Sequence, residues 1–117
     1  MDPALQAVAA WLDGDVDGRH GNGMTLLMAT ATGGLEAMMR LLLQRGASIN
    51  LQDSDGFTAL MYAAASGHTT IVQVLLDAKA AASLQSNSGH TALTCAAKAK
   101  QTAAVQLLRQ HAERQAR

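Results

Sequence analysis

The amino-acid sequence predicts an all-α solenoid of stacked helix-turn-helix units, each opened by a turn. Three observations predict it. First, the 117 residues carry a period of 33: Gly23, Gly56 and Gly89 are followed in step by Thr25, Thr58 and Thr91, by Leu27, Leu60 and Leu93, and by Ala31, Ala64 and Ala97. Residues 53–85 align without a gap on 20–52 with eleven identities, and 86–117 align on 53–85 with ten. A fixed period of this length marks a repeat array. Second, each period runs from turn residues through a short alanine-rich stretch to a second apolar stretch, the order turn, helix, helix. Third, one such helix pair cannot bury its own apolar face, whereas stacked copies can.

The elements follow in order. Residues 1–19 are too short for a full unit and read as a capping helix with an acidic turn, a half-repeat. Asp2-Pro3 is a helix start, with Asp as N-cap and Pro in the first turn. Leu5, Val8, Ala9 and Leu12 then share one face, and Gly14 is a stop. Trp11 is expected to pack on this cap rather than to anchor a partner. Residues 20–52, 53–85 and 86–117 are the three repeats, the last also a C-terminal cap, and the whole is one domain.

The second unit shows the local logic most clearly. Asp53-Ser54-Asp55-Gly56-Phe57 is turn chemistry, and Gly56 tolerates positive φ. Thr58 is an N-cap for a helix over 59–65. Ser66-Gly67 ends that helix, with Gly67 as the left-handed C-cap. A second helix over 70–78 carries Ile71, Val72, Val74, Leu75 and Leu76 as a wide apolar stripe. In the third unit the outer helix is expected from Thr102 to about Arg114. Its polar residues Arg109, Gln110, Glu113 and Arg114 suit the exposed face of a terminal repeat.

Composition excludes several classes of function. Apolar residues make up 49% and charged residues 15%, which argues against intrinsic disorder. Nine Lys and Arg balance nine Asp and Glu, so the chain lacks the basic excess of a general nucleic-acid binder. No apolar run approaches the ~18 residues of a membrane span, and the N-terminus lacks the basic region of a secretory signal. A single cysteine, Cys95, excludes an internal disulfide and a multi-cysteine zinc cluster. A reduced, intracellular protein of the cytoplasm, the nucleus or both is expected. Charge is uneven along the chain: residues 1–19 hold four Asp and one Arg, and 98–117 hold two Lys, three Arg and one Glu. These ends read as solvated caps or as surfaces for end-to-end docking and self-association.

Chemical motifs begin but do not complete. Asp13, Asp15, Asp17 and Gly18 match the opening of an EF-hand loop, yet the twelfth position is Met24 where a bidentate carboxylate is needed. Gly21-Asn22-Gly23 begins like a dinucleotide loop, but Leu26 stands where its third glycine belongs. His20, His68, His90 and His111 form no ligand spacing with one another or with Cys95. Cys95 reads as a small packed residue, not a nucleophile. No pair of carboxylates suggests acid–base work. The sequence therefore predicts no enzyme, no metal and no cofactor; the alternative functions it leaves are a structural or self-associating segment of a longer repeat array, or a calcium-regulated adaptor.

The run Asp55-Gly56-Phe57-Thr58-Ala59-Leu60-Met61-Tyr62-Ala63-Ala64-Ala65-Ser66-Gly67-His68 resembles an ankyrin repeat, as does Leu41-Leu42-Leu43-Gln44-Arg45-Gly46-Ala47-Ser48-Ile49-Asn50. The resemblance covers roughly residues 20 to 117. It implies an L-shaped stack with β-hairpin or turn fingers projecting beside a concave face of inner helices. It implies a non-enzymatic scaffold or adaptor that binds a partner protein or peptide, which agrees with the exclusion of nucleic acid by charge and of membrane by hydropathy. It also implies contact positions by register: Asn22, Met24 and Thr32 in the first repeat; Ser54, Asp55, Phe57, Ala65 and Ser66 in the second; Asn87, Ser88, His90 and Lys98 in the third. Phe57 is either a hot-spot anchor or packing against the neighbouring finger. Tyr62 either offers its hydroxyl to the concave side or buries its ring. The sequence departs from the family pattern in several places. Leu26, Ala59 and Ala92 replace the family's Pro, and Met28, Met61 and Thr94 replace its His, so packing is expected to substitute for a histidine network between repeats. Lys79 and Lys100 stand where glycine is usual, with strain expected if positive φ persists. The short first unit is expected to leave Leu26 or Met28 partly uncovered.

Overall fold

A computed structural model describes residues 14–19 and 21–115. The expected N-terminal helix over 4–12, with Trp11, lies outside the described residues.

Six helices form among them, in three antiparallel pairs: α1 (Leu26–Gly33) with α2 (Glu36–Gln44), α3 (Ala59–Ser66) with α4 (Thr69–Asp77), and α5 (Ala92–Lys98) with α6 (Thr102–Gln115). The inner helices α1, α3 and α5 pack in one row, and the outer helices α2, α4 and α6 pack in a second. The same sequence signals start each inner helix. Thr25, Thr58 and Thr91 are N-caps in extended conformation, and their hydroxyls accept from the N–H groups of Met28, Met61 and Thr94. The family's missing His has local substitutes in two repeats. Met28 Sδ accepts from Thr25 N–H at 3.5 Å, and Thr94 Oγ1 accepts from Thr91 N–H at 2.7 Å. Both complete a reciprocal capping box.

Helix ends follow glycine where glycine is present. Gly34 and Gly67 are left-handed C-caps at φ 69° and 74°. Lys79 and Lys100 keep the left-handed conformation without glycine, at φ 72° and 61°. This is the strained conformation that the sequence anticipates at both sites.

The core lies between the two helix rows. Met28, Met39, Leu42, Leu60, Met61, Ile71, Val72 and Leu75 are its largest fully buried side chains. Ala31, Ala63, Ala64 and Ala96 are fully covered as well. With no side chain beyond Cβ, they let inner helices approach one another closely. The methionines fill the irregular gaps that remain, as unbranched side chains can. Leu26 and Met28 are also buried, at 4% and 1% exposure, so the expected uncovered face on the first repeat is absent.

Candidate functional site

The fingers of the second and third repeats, fingers 2 and 3, are tight turns built around one buried polar side chain each. Asp53 is only 8% exposed. Its Oδ1 accepts from the N–H groups of Asp55 and Phe57 at 3.0 and 2.9 Å, and its own N–H donates to Phe57 O at 2.9 Å. Ser86, one period on, does the same with a hydroxyl. Its Oγ accepts from Ser88 and His90 N–H, and its N–H donates to His90 O at 2.8 Å. Asp and Ser side chains fold back in this way because they are short enough to reach the backbone two to four residues on.

Neighbouring fingers are locked to each other. Ser54 N–H donates to Asn22 O at 2.7 Å, and Asn87 N–H donates to Asp55 O at 2.9 Å. Asn87 Nδ2 also donates to Ser54 O at 2.9 Å. Below the tips, Gln52 Nε2 bridges Gly56 O and Gln85 O, both at 2.9 Å. Arg19, one period earlier, bridges Gly23 O and Gln52 O. The close approach demands glycine: a Cβ on Gly56 would lie 2.6 Å from Asn87 N.

Finger 2 is tied to its inner helix through aromatic residues. The Tyr62 hydroxyl donates to Asp53 Oδ2. The Phe57 and Tyr62 rings meet at 5.7 Å between centroids, tilted by 48°. Burial of the phenol and its bond to the Asp53 carboxylate push the Tyr62 hydroxyl well above the usual tyrosine range. Phe57 therefore packs half-buried against the helix of its own repeat, an arrangement that neither sequence alternative named.

The contact positions inferred from the sequence divide by exposure. Asn22, Thr32, Ser54, Asp55, Ser66, Asn87, Ser88 and Lys98 are exposed. Met24, Phe57, Ala65 and His90 are half-buried. His90 is held to the third inner helix by Lys98, whose Nζ lies 3.4 Å from His90 Nε2. Asn22, Ser54, Asp55, Asn87 and Ser88 come together along the finger row; Thr32, Ala65, Ser66 and Lys98 lie at the far ends of the inner helices.

Two inter-repeat ties escape the sequence reading. His68 Nε2 lies 3.0 Å from Thr32 O, and Gln101 Nε2 donates to Ala65 O at 3.4 Å. Both span 36 residues, one period plus three. Packing is therefore not the sole link between repeats. A histidine serves after all, from the junction between the two helices of the second repeat. The shared offset of His68 and Gln101 from the preceding inner helix is the signal that could have found it.

Asp17, in the acidic turn, has a structural use. Asp17 Oδ1 accepts from Ser48 N–H at 2.8 Å, and Asp17 Oδ2 accepts from the Ser48 hydroxyl at 2.7 Å. Among the described residues no group of three His, Cys, Asp or Glu side chains could hold a metal ion. Cys95 is buried on α5, and burial pushes its thiol up although nearby Lys98 acts in the opposite sense. Among the described residues no helix is long and apolar enough to cross a membrane.

No curated protein matches the chain. The family profile of ankyrin repeats matches it in three copies, over residues 3–86 and 46–116. Ankyrin repeats are generally protein–protein interaction modules. The two matched stretches overlap and together run from residue 3 to residue 116, so the chain belongs to the ankyrin-repeat family.

Proposed function

We propose that the chain is a protein-binding scaffold that reads its partner with the exposed tips of fingers 2 and 3 and the adjoining ends of the inner helices. The observation that carries this reading is the finger lock. Ser54 and Asn87 donate backbone N–H groups to the preceding finger, and Asn87 adds a side-chain bond. The side chains of Ser54, Asp55 and Ser88 stand exposed on that fixed row. A surface already ordered loses little conformational entropy on docking, which favours specific binding. Asp55 is the one exposed carboxylate on these two tips, and it selects a partner with a complementary donor or cation. Phe57 contributes as the half-buried floor beneath the tips, where an aromatic edge adds contact area.

Affinity capture with Asp55→Arg and Ser88→Arg variants tests the reading. Both sites are exposed, and their side chains make no contact that holds the turn, so the variants keep the native circular-dichroism spectrum. A partner retained by the parent chain and lost by both variants supports the finger face. A partner retained equally by all three refutes it. The acidic stretch 1–19 and the basic stretch 98–117 favour a second reading, in which the retained protein is another copy. Co-capture of differently tagged chains distinguishes it.

A further inference from the structure

The stretch that leads into each finger is a short stem, and successive stems lie side by side. Asp17 accepts from Ser48 N–H, and Asn50 Oδ1 accepts from Ala81 N–H at 2.9 Å. Asp17 and Asn50 are one period apart, and Ser83 stands a further period on. The stems turn alternate small or aliphatic side chains against the core: Ala47, Ile49 and Leu51 in one, and Ala80, Ala82 and Leu84 in the next. The chain enters the latter by leaving α4 at Asp77, with Ala80 N–H donating to Leu75 O.

The third repeat departs from this course. α6 runs 14 residues where α2 and α4 run nine, so its last turns continue as helix where the other repeats turn into a stem. The space beside the last stem stays open as a groove of about 600 Å³, lined by Ala80, Ala82, Leu93, Leu108, His111 and Ala112. Burial records the vacancy. Leu27 and Leu60 are each 2% exposed, whereas Leu93, at the same register, is only half-buried. Thr25 and Thr58 are each 3% exposed, whereas Thr91 is half-buried. Ser83 also lines the groove, is exposed, and makes no hydrogen bond among the described residues.

We propose that this groove binds an extended peptide segment of a partner protein, in the place that the next stem would take, with small or aliphatic side chains at alternate positions. The two internal stems show what such a surface accepts. The ties between internal stems run from side chain to backbone, as from Asn50 to Ala81 and from Gln52 to Gln85; bonds of this kind supply affinity, and alternate side chains supply selection. Ser83 Oγ accepts a peptide N–H, as Asn50 does for Ala81 and Asp17 for Ser48. The volume lies within the roughly 300–1,000 Å³ of ordinary ligand sites. A whole further repeat, including one from a second copy, fits less well. The His68 ring and the Gln101 amide lie against Gly34 and Gly67, close enough that a Cβ there would clash. Lys100, at the same register in the third repeat, carries a side chain at that corner. This site is separate from the finger face, and neither reading depends on the other.

The probe is a synthetic peptide copying residues 46–52 (Gly-Ala-Ser-Ile-Asn-Leu-Gln), titrated into isotope-labelled protein and followed by amide chemical shifts. The expected result is saturable shifts at Ala80–Ser83, Leu93 and His111–Ala112, with Ser54, Asp55 and Ser88 unmoved. Ala112→Phe fills the groove from an exposed helix position and abolishes the shifts. Ser83→Ala removes one acceptor and weakens binding by about two- to tenfold. A peptide with serine in place of its Ile and Leu does not bind. Absence of saturable shifts, equal binding by both variants, or a helical bound peptide overturns the proposal. Concentration-dependent shifts at the groove without peptide assign it to a second copy, and that result also overturns it.

Discussion

The Tyr62 hydroxyl donates to the Asp53 carboxylate, and so one bond couples the second inner helix to the turn that forms its finger. The other carboxylate oxygen of Asp53 holds the turn itself. Asp53 thus serves two structures at once, whereas Ser86 at the same register serves only the turn. Replacing Asp53 separates the two roles. Asp53→Ser keeps the turn and loses the tie to Tyr62, at a cost of about 1 kcal/mol. Asp53→Ala loses both and costs about 2 kcal/mol or more. Denaturant unfolding measures the order. Equal costs would show that the turn bond carries nothing.

Tyr62 is the chain's single tyrosine, so its ionisation is readable by ultraviolet absorbance. Its raised pKa fixes the sign of the pH dependence. The native state holds the phenol proton more tightly than the unfolded chain. The stability this confers is fully present below about pH 10, the unfolded value, and is lost as pH rises above it. Phenolate absorbance should therefore appear together with loss of helical signal. A titration midpoint near 10 in a fully helical protein would contradict the Asp53–Tyr62 geometry.

Gly56 and Gly89 both sit at φ 85°, but a Cβ on Gly56 would press on Asn87 N, while a Cβ on Gly89 would meet nothing within 4 Å. Gly89→Ala therefore costs only left-handed strain, about 1 kcal/mol. Gly56→Ala also breaks the bond between fingers and costs about 1–3 kcal/mol more. The difference between the two variants, taken from their unfolding curves, reports the finger lock directly.

Lys79 and Lys100 adopt left-handed conformations that a glycine would hold without steric cost. Lys79→Gly and Lys100→Gly each stabilise the fold by about 0.5–1 kcal/mol, the strain relieved exceeding the added entropy of the unfolded chain. Thermal unfolding checks the sign.

Much of this arrangement is legible in the sequence, because the signals are local and recur three times. The threonine caps, the left-handed glycines and the two strained lysines follow from short-range chemistry at a known register. The ties between repeats are less legible. His68 to Thr32 and Gln101 to Ala65 join positions 36 residues apart through backbone carbonyls, which carry no residue identity. Asp53 and Asp55 look equivalent in a turn-forming run, yet one is buried and bonded to Tyr62 while the other is exposed. The direction of a side chain in a tight turn depends on what packs behind it. Phe57 is ambiguous in the sequence for the same reason: its neighbour is Tyr62, set by the path of the turn.

The finger face is tested most directly by calorimetry on the captured partner with three chains: the parent, Asp55→Arg, and Gln106→Arg on the exposed side of α6. The account predicts that Asp55→Arg weakens binding at least tenfold while Gln106→Arg binds as the parent does. Equal affinity for all three, or a loss confined to Gln106→Arg, would contradict it.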